Sequence, residues 1–227
     1  MKSIMSKAKD MTKAKPDEKP PEESKAKVQE FIEAIIIAIL IAVVIRTLVI
    51  QAYKIPSRSM VPTLLIGDHL LVNKFIYGIK IPVIRTILLP VSNPKRGDII
   101  VFIYPNDRSK DYIKRVIGVA GDKIEIRNKS IFINGKPYKD GFGIYSDSVV
   151  YPSMVQPRDN YGPVVVPGNS LFVMGDNRDE SADSRFWGFV DLKDVEGKAL
   201  LIYWSWNSEE ENLLKKVRWD RIGNLLK

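Results

Sequence analysis

The most uniform hydrophobic pattern in the chain lies near its N-terminus. Every residue from Ala34 to Ile45 is Ala, Ile, Leu or Val; Arg46 interrupts the run, and Thr47–Ile50 resumes it. The stretch Phe31–Ile50 has about the 20 residues that a helix needs to cross a bilayer core. Because no polar stripe divides the run, the pattern favours a transmembrane helix over a buried helix of a globular domain.

Two charged residues fall inside this stretch, and both are placed near its ends. Glu33 lies where the headgroup region would begin, and Arg46 lies one turn from the other end, where its side chain can snorkel to the interface. A cleaved signal peptide is the third interpretation of the run. The long leader before it and the lack of a clean small-x-small site after it favour an uncleaved anchor.

Beyond this run, short segments rich in Val and Ile alternate with turn signals. Asn134-Gly135, Gly121-Asp122 and Pro167-Gly168 are dipeptides typical of tight turns. No alternation of strands with helices is visible, so we expect a mainly β fold with antiparallel sheets. The predicted strands are Leu70–Asn73, Asp98–Tyr104, Tyr112–Val119, Lys123–Ile126, Ser130–Ile133, Val164–Val166, Ser170–Met174 and Ala199–Trp204.

Composition then divides the chain into three parts. Residues 1–27 are rich in Lys, Glu, Pro and Ser, and such a segment buries too little surface to fold, so we predict a disordered basic tail. Residues 28–51 form the predicted transmembrane anchor, and residues 52–227 form a β-rich domain. The Lys excess before the anchor predicts a cytoplasmic N-terminus and an extracytoplasmic β domain.

Charge and cysteine content narrow the possible partners and chemistry. The net charge is +8, and much of the N-terminal excess is Lys between Lys2 and Lys27, ahead of the apolar run. This placement suits anionic lipid, and without an RNA-binding aromatic motif or a helix-turn-helix pattern we expect no nucleic acid partner. The chain has no Cys, which excludes disulfides, thiol nucleophiles and thiolate metal sites.

Serine hydrolysis needs a base, and the sequence offers two kinds. His69 is the only His, so a Ser-His-Asp triad would have to use it, yet nothing around it suggests a site. Lys114 lies in the strand-like run Tyr112–Gly118, where alternation places it on one face with Tyr112 and Val116. Burial there would lower its pKa and let it accept a proton; an edge-strand Lys that prevents aggregation is the alternative.

Two further segments are unusual for a β domain. Pro56 and Pro62 bracket Ser57 and Ser59 in a restrained loop close after the apolar run, which is either a site that holds a hydroxyl or a rigid juxtamembrane turn. The segment Gly175–Gly188 is rich in Asp, Asn, Ser and Arg. It lacks the Gly and the terminal Glu of an EF-hand loop, and a network of hydrogen bonds and ion pairs suits it better than calcium.

These segments, together with Lys95–Phe102, closely resemble the motifs of bacterial type I signal peptidases, the leader peptidases. The matching stretches are Ile55–Leu64, Lys95–Phe102, Tyr112–Asp122 and Gly175–Val190, and they occur in the family's order. The resemblance implies a largely β Ser-Lys protease domain, shared with self-cleaving repressors, behind an N-terminal anchor. The family often has two N-terminal spans, whereas this sequence shows one.

The resemblance also implies roles for individual residues. Ser59 corresponds to the nucleophile and Lys114 to the general base. Ser57 corresponds to the hydroxyl that helps the Ser59 N–H to form the oxyanion hole, and Ser181 to the serine that orients the lysine. Asp183, Arg185 and Arg115 correspond to supporting residues, the first two as an ion pair. The positions that would line the base or the small substrate pockets are Ile55, Met60, Leu64, Tyr112 and Ile113.

Two positions depart from the family's pattern. Arg58 stands where many members have Gly, and Glu180 stands where Asn is common. Neither substitution removes a reacting group.

The resemblance therefore implies a membrane-bound serine endopeptidase that removes signal peptides from exported preproteins at the outer face of the cytoplasmic membrane. It implies cleavage after small residues of the Ala-x-Ala type through an acyl-enzyme, with no metal and no cofactor. A self-cleaving regulator and a binding protein without activity are the alternatives. The first would need a DNA-binding domain, which residues 1–50 do not supply, and the intact serines and lysine argue against the second.

A second membrane contact is a separate hypothesis. It involves the mostly apolar segment Ile79–Leu89 with Trp204 and Trp206.

Overall fold

The computed structural model describes residues 22–80, 87–89, 91–139 and 141–226. The chain divides into two units, Met1–Val43 and Val44–Lys227. Most of the predicted disordered tail, residues 1–21, lies outside the described residues.

Helix α1 (Glu22–Leu48) forms the described part of the N-terminal unit and continues into the first residues of the second unit. It begins inside the predicted tail, because Glu22–Lys27 follow two prolines and contain good helix formers, with acidic residues at the helix N-terminus. The helix carries exposed apolar side chains on all sides, among them Phe31 and Leu40. In the described part of the chain, no helix reaches the length and apolarity that a membrane crossing requires, so the predicted transmembrane helix is not confirmed.

The β-rich unit is built from short strands that pair antiparallel throughout. The strands are β1 (Ile50–Lys54), β2 (Asp68–Asn73), β3 (Ile79–Lys80), β4 (Ile87–Leu89), β5 (Ile99–Ile103), β6 (Asp111–Val119), β7 (Lys123–Arg127), β8 (Ser130–Ile133), β9 (Lys136–Pro137), β10 (Tyr161–Val165), β11 (Ser170–Met174), β12 (Val190–Asp191) and β13 (Val195–Ser205). A four-residue helix, α2 (Ser184–Trp187), and 3-10 turns at Phe75–Tyr77, Leu192–Asp194 and Trp219–Arg221 complete the unit.

The strands form one large and two small sheets. The large sheet has the order β1-β2-β13-β5-β6-β11-β12, and the smaller ones have the orders β10-β7-β8-β9 and β3-β4. The predicted mainly β, antiparallel fold is confirmed, and each of the eight predicted strands has an observed counterpart. Alternation of branched apolar residues with turn dipeptides made these strands recognisable.

The strand β1 was missed because its first residues continue the apolar run of α1. Ile50–Lys54 pairs with β2, from Ile50 opposite Asn73 to Lys54 opposite His69. The folded β unit therefore begins at least two residues before the predicted boundary at residue 52. In the segment proposed for a second membrane contact, β3 pairs with β4, while residues 81–86 lie outside the described residues.

The strand β6 lies in the interior of the large sheet. This strand pairs with β5 on one side and β11 on the other, and Lys114–Gly118 are all buried. Val116 packs in one hydrophobic cluster and Ile117 in another, so apolar side chains cover both faces of the sheet at this strand. A side chain between Lys114 and Gly118 is consequently withdrawn from water, whichever face of the sheet it points to.

Candidate active site

The loop between β1 and β2 carries Ser59. Backbone hydrogen bonds close it at its base, because Ile55 N donates to Asp68 O at 2.8 Å and Gly67 N donates to Ile55 O at 3.0 Å. Met60 and Leu64 anchor the loop from below, since both side chains are buried in a core cluster. The loop therefore holds Ser59 in one place, with 8% of its surface exposed.

Lys114 lies on β6, an interior strand of the large sheet, and its side chain contacts Ser59. Lys114 Nζ donates to Ser59 Oγ at 2.7 Å and to the Ile113 carbonyl at 3.1 Å. Only 4% of the lysine is exposed. Burial lowers the pKa of Lys114 to about 8, although Asp183 and Asp176 act in the opposite direction. Neutral amine is therefore accessible at mildly alkaline pH, which is the form that can accept a proton.

Ser57 lies beside this pair in the same loop. Its Oγ is 3.4 Å from Ser59 Oγ, and its side chain is exposed. Both hydroxyls open into a cleft of about 400 Å³, to which Tyr112 and Ile113 also contribute walls. The cleft brings a buried nucleophile candidate into contact with solvent.

Ser181 reaches the site but does not make the predicted contact. We expected its hydroxyl to hydrogen-bond and orient Lys114. Instead Ser181 is buried, and its Oγ makes no well-formed hydrogen bond among the described residues, although the hydroxyl is close enough to Asp183 to help lower the pKa of that carboxyl. Lys114 directs its hydrogen bonds to Ser59 and to the backbone. Ser181 Oγ lies next to Gly175, in the space that a Cβ on that residue would occupy. The expected role in orienting the lysine is thus not visible in this geometry.

A buried ion pair supports the far side of the site. Arg185 Nε and Nη2 both donate to the Asp183 carboxylate at 2.8 Å, and neither side chain is more than 1% exposed. Burial alone would raise the pKa of Asp183, but Arg185, the Gly175 N–H and the Ser181 hydroxyl together outweigh it, and the pKa is lowered. Asp183 also accepts a hydrogen bond from Gly175 N at 3.1 Å, so the Asp183–Arg185 ion pair is tied to the backbone at the end of β11.

A second buried ion pair joins the lysine strand to the serine loop. Arg115 Nε and Nη2 donate to Asp176 at 2.8 and 2.7 Å, and Thr63 Oγ1 donates to the same carboxylate at 2.6 Å. Sequence reasoning chose Arg115 but missed Asp176 and Thr63. Their contacts span 61 and 113 positions along the chain, and no local pattern indicates such a distant pairing.

The predicted pocket residues fall into two groups. Tyr112 and Ile113 line the cleft. Ile55, Met60 and Leu64 are exposed by 2% or less and pack in a core cluster, so they support the loop from behind and offer almost no surface to a ligand.

The two positions that depart from the family's pattern lie next to each other. Arg58 Nε is 3.7 Å from Glu180 Oε2, with the side chains 70% and 48% exposed. Both residues line the mouth of the cleft. An exposed pair of this kind contributes little stability, about 0–1 kcal/mol.

The histidine and the loop carboxylates make structural contacts away from the reacting pair. His69 lies in β2 and packs edge-on against Tyr203, with ring centroids 5.8 Å apart, while Ser59 Oγ contacts Lys114. In the Gly175–Gly188 loop, the carboxylates considered for calcium are paired with cations. Lys129 donates to Asp179 at 2.9 Å, and Arg185 holds Asp183.

Comparison with known proteins identifies the family. A family model described as signal peptidase, peptidase S26, matches residues 28–204, which is most of the chain. The chain belongs to this family. It is accordingly a serine peptidase, a hydrolase of peptide bonds.

Individual members of the signal peptidase family are similar over most of their length. The chain is 34% identical to a signal peptidase I of Buchnera aphidicola subsp. Acyrthosiphon pisum, over 79% of this chain and 76% of that protein. It is 37% identical to a signal peptidase I of Aquifex aeolicus, over 76% of this chain and 85% of that protein. A crystal structure of a signal peptidase I from Enterococcus faecalis V583 aligns with a TM-score of 0.38 at 30% identity, covering 47% of this chain and 97% of the other. The family assignment does not depend on that alignment.

Proposed function

We propose that this chain is an endopeptidase that removes N-terminal signal peptides from exported preproteins, with Ser59 as nucleophile and Lys114 as general base. The observation that carries the proposal is the 2.7 Å contact between Lys114 Nζ and Ser59 Oγ, made by a lysine whose pKa burial lowers to about 8. A base next to a hydroxyl, at the wall of a cleft, is the arrangement that nucleophilic catalysis requires.

Acylation begins with neutral Lys114. Its Nζ takes the Ser59 hydroxyl proton while Oγ attacks the carbonyl carbon of the scissile bond. The oxyanion that forms would accept hydrogen bonds from the Ser59 N–H and the Ser57 hydroxyl, and one such donor is typically worth about 3 kcal/mol. The Lys114 ammonium then gives its proton to the departing amine, which leaves the signal peptide as an ester on Ser59.

Deacylation repeats the same proton transfers with water. Lys114 removes a proton from a water molecule that attacks the ester carbonyl, and Ser59 Oγ leaves with that proton. The signal peptide departs with a new carboxyl terminus. The ion pairs Asp183–Arg185 and Arg115–Asp176 would hold the two catalytic elements in register, and Ser181 would act on the lysine only after a change from the geometry seen here.

The cleft favours small side chains beside the cut. Tyr112 and Ile113 form walls of the cleft, and the packed residues Ile55, Met60 and Leu64 behind the serine loop leave those walls little freedom to move. A close-packed wall rejects bulk sterically. We therefore propose cleavage after small residues, of the Ala-x-Ala type.

We further propose a single N-terminal anchor in the cytoplasmic membrane, with residues 1–27 in the cytoplasm and the β unit at the outer face. The support is the unbroken apolar composition of Ala34–Ile45 and the preceding Lys excess. Full-length protein should resist extraction from membranes at alkaline pH. Protease added to intact spheroplasts should digest the β unit of this protein and leave an N-terminal tag intact. Release of the full chain into the soluble fraction would contradict the anchor.

The proposed chemistry is tested with purified full-length protein in detergent acting on a separate preprotein. Ser59→Ala and Lys114→Ala should each lower the cleavage rate by at least about 10³-fold, as removal of a reacting group does in related dyads and triads. Ser130→Ala and Lys123→Ala change exposed residues of the same types on β8 and β7 and should leave the rate unchanged.

Wild-type activity of either dyad variant would overturn the assignment. Failure of the intact chain to cleave any preprotein in trans would favour a self-cleaving or purely binding protein instead.

A further inference from the structure

The C-terminal segment lies beyond residue 204, where the match to the family model ends. It nevertheless packs back onto the β unit through backbone hydrogen bonds. Ile202 N donates to Asn224 O at 3.0 Å, Gly223 N donates to Ile202 O at 2.8 Å, and Leu226 N donates to Leu200 O at 2.8 Å. The turn Trp219–Arg221 is thereby fixed against β13.

Arg221 extends from this turn to the loop that carries Ser59. Its Nε and Nη2 donate to the two oxygens of Asp68 at 3.1 and 2.6 Å, and Nη2 also donates to the Thr63 carbonyl at 2.9 Å. The Arg221 side chain is 15% exposed and that of Asp68 is fully buried. A bidentate contact of this kind fixes both the orientation of the guanidinium and its distance from the carboxylate.

Asp68 in turn holds the end of the loop. Its Oδ2 accepts from Leu65 N at 2.8 Å and its Oδ1 accepts from Ser205 Oγ at 2.7 Å, while its carbonyl accepts from Ile55 N at 2.8 Å. The Asp68 carboxylate that Arg221 neutralises therefore lies at the base of the serine loop, between the end of β1 and the start of β2. Without Arg221, a buried carboxylate would lose its main cationic partner, which is costly.

Thr63 connects this anchor to the catalytic side of the loop. Arg221 holds its carbonyl, and its hydroxyl donates to Asp176, the partner of Arg115. Arg115 neighbours Lys114 in β6. Arg115 thus restrains the serine loop from the lysine strand, and Arg221 restrains it from the C-terminal segment. Arg218 of the same segment adds a hydrogen bond from Nη1 to the Ile66 carbonyl at 3.0 Å.

We propose that Arg221 is a positioning residue for the reaction, acting through Asp68 and Thr63 to hold Ser59 at its 2.7 Å distance from Lys114. The inference rests on the proposed function, in which Ser59 is the nucleophile. Because a misplacement of about 1 Å can cost about 10² in rate, loss of this restraint should act on the chemical step.

The test measures kcat and KM for a preprotein with full-length variants. Arg221→Gln should lower kcat by about 10- to 100-fold and leave KM within about twofold. Arg221→Lys should lose less, because one ammonium can pair with Asp68 but cannot also hold the Thr63 carbonyl in the same geometry. Millimolar guanidinium should restore part of the kcat of Arg221→Ala.

Arg108→Gln is the matched control. Arg108 donates to both oxygens of buried Asp194 at 3.0 and 2.6 Å, so its loss removes a bidentate ion pair with a buried carboxylate outside the serine loop, from an arginine that is itself 52% exposed. The Arg108→Gln variant should lose thermal stability, because Asp194 stays buried without its guanidinium, while kcat is retained. Equal loss of kcat in the Arg108 and Arg221 variants would reduce Arg221 to a stability role and overturn the proposal.

A kcat for Arg221→Gln within twofold of wild type would also overturn it. If the Gln variant does not fold, Arg221→Lys carries the test, and wild-type kcat in that variant has the same consequence. Ser59→Ala measured in the same assay separates the two proposals. An active Ser59→Ala removes the proposed function itself, whereas an inactive Ser59→Ala with an active Arg221→Gln removes only the positioning role.

Discussion

At the scale of single residues, Lys114 shows how position decides chemistry. Two carboxylates, Asp183 and Asp176, favour its charged form, and Arg185 opposes them. Loss of hydration outweighs these charges, because the amine sits on a strand that is covered on both faces. The result is a pKa of about 8 and a base that works close to neutral pH.

The rate of acylation should therefore rise with pH and level off above the pKa of Lys114. The neutral amine is the active form, so the rate should be half-maximal near pH 8 and fall about tenfold for each unit below it. Single-turnover cleavage of a preprotein between about pH 6 and about pH 10 measures this profile. A midpoint near the ordinary lysine value, or a rate that declines as pH rises, would contradict the role of a buried neutral base.

Other residue-level features could not be predicted from the sequence. The motif around Ser59 and the apolar setting of Lys114 are local, so the sequence offered both residues as candidates, and the family resemblance supplied their expected roles. The link from Thr63 to Asp176 and that from Arg221 to Asp68 join residues 113 and 153 positions apart. Such contacts depend on strand order, and a single sequence does not reveal which strands become neighbours.

At the scale of elements, the end of β11 must come very close to the serine loop. A Cβ added at Gly175 would overlap the Ser59 carbonyl oxygen and the Ser181 side chain. Asn177 N donates to that same Ser59 carbonyl at 3.1 Å. The absence of a side chain at Gly175 thus permits the contact that brings the loop, the strand end and the buried serine together.

Gly175→Ala should consequently displace the Ser59 loop. Because the obstructing atoms include backbone, we expect a loss of stability of about 1–3 kcal/mol and a fall of kcat of at least about tenfold. Gly168→Ala is the control, since it lies in the turn just before β11 and a Cβ there meets nothing within 4 Å. Urea denaturation and preprotein cleavage measure the two effects, and wild-type kcat for Gly175→Ala would show that the close approach is not needed.

At the scale of the whole molecule, the sequence predicted a β-rich unit that follows an apolar helix along the chain. The predicted boundary at residue 52 lies inside β1, which begins at Ile50. Hydropathy makes no distinction between the last residues of α1 and the first of β1, because Val49 and Ile50 are apolar in either setting. Hydrogen bonding separates them, since Lys74 N donates to Val49 O and β1 pairs with β2 along its length. The unit that must stay intact for folding therefore includes Ile50–Lys54.

Truncation of the chain tests this boundary. A chain that begins at Ile50 keeps all five pairs of β1 with β2 and the contact of Tyr53 with the core, so it should unfold in one cooperative transition. A chain that begins at Ile55 lacks β1, so β2 keeps its pairing with β13 but becomes an exposed edge strand of the large sheet. It should be less stable by about 1–2 kcal/mol or more, because it loses the partly buried Tyr53 as well as the pairing of β1 with β2.

Urea denaturation compares the two truncated chains, with a chain that begins at Val44 as the control for the loss of the N-terminal unit. The chains beginning at Val44 and Ile50 should cleave a short peptide substrate in detergent at similar rates. The chain beginning at Ile55 should lose activity as well, because β1 leads directly into the loop that positions Ser59. Equal stability and activity of all three chains would mean that β1 contributes nothing to the fold and that the catalytic unit begins after it.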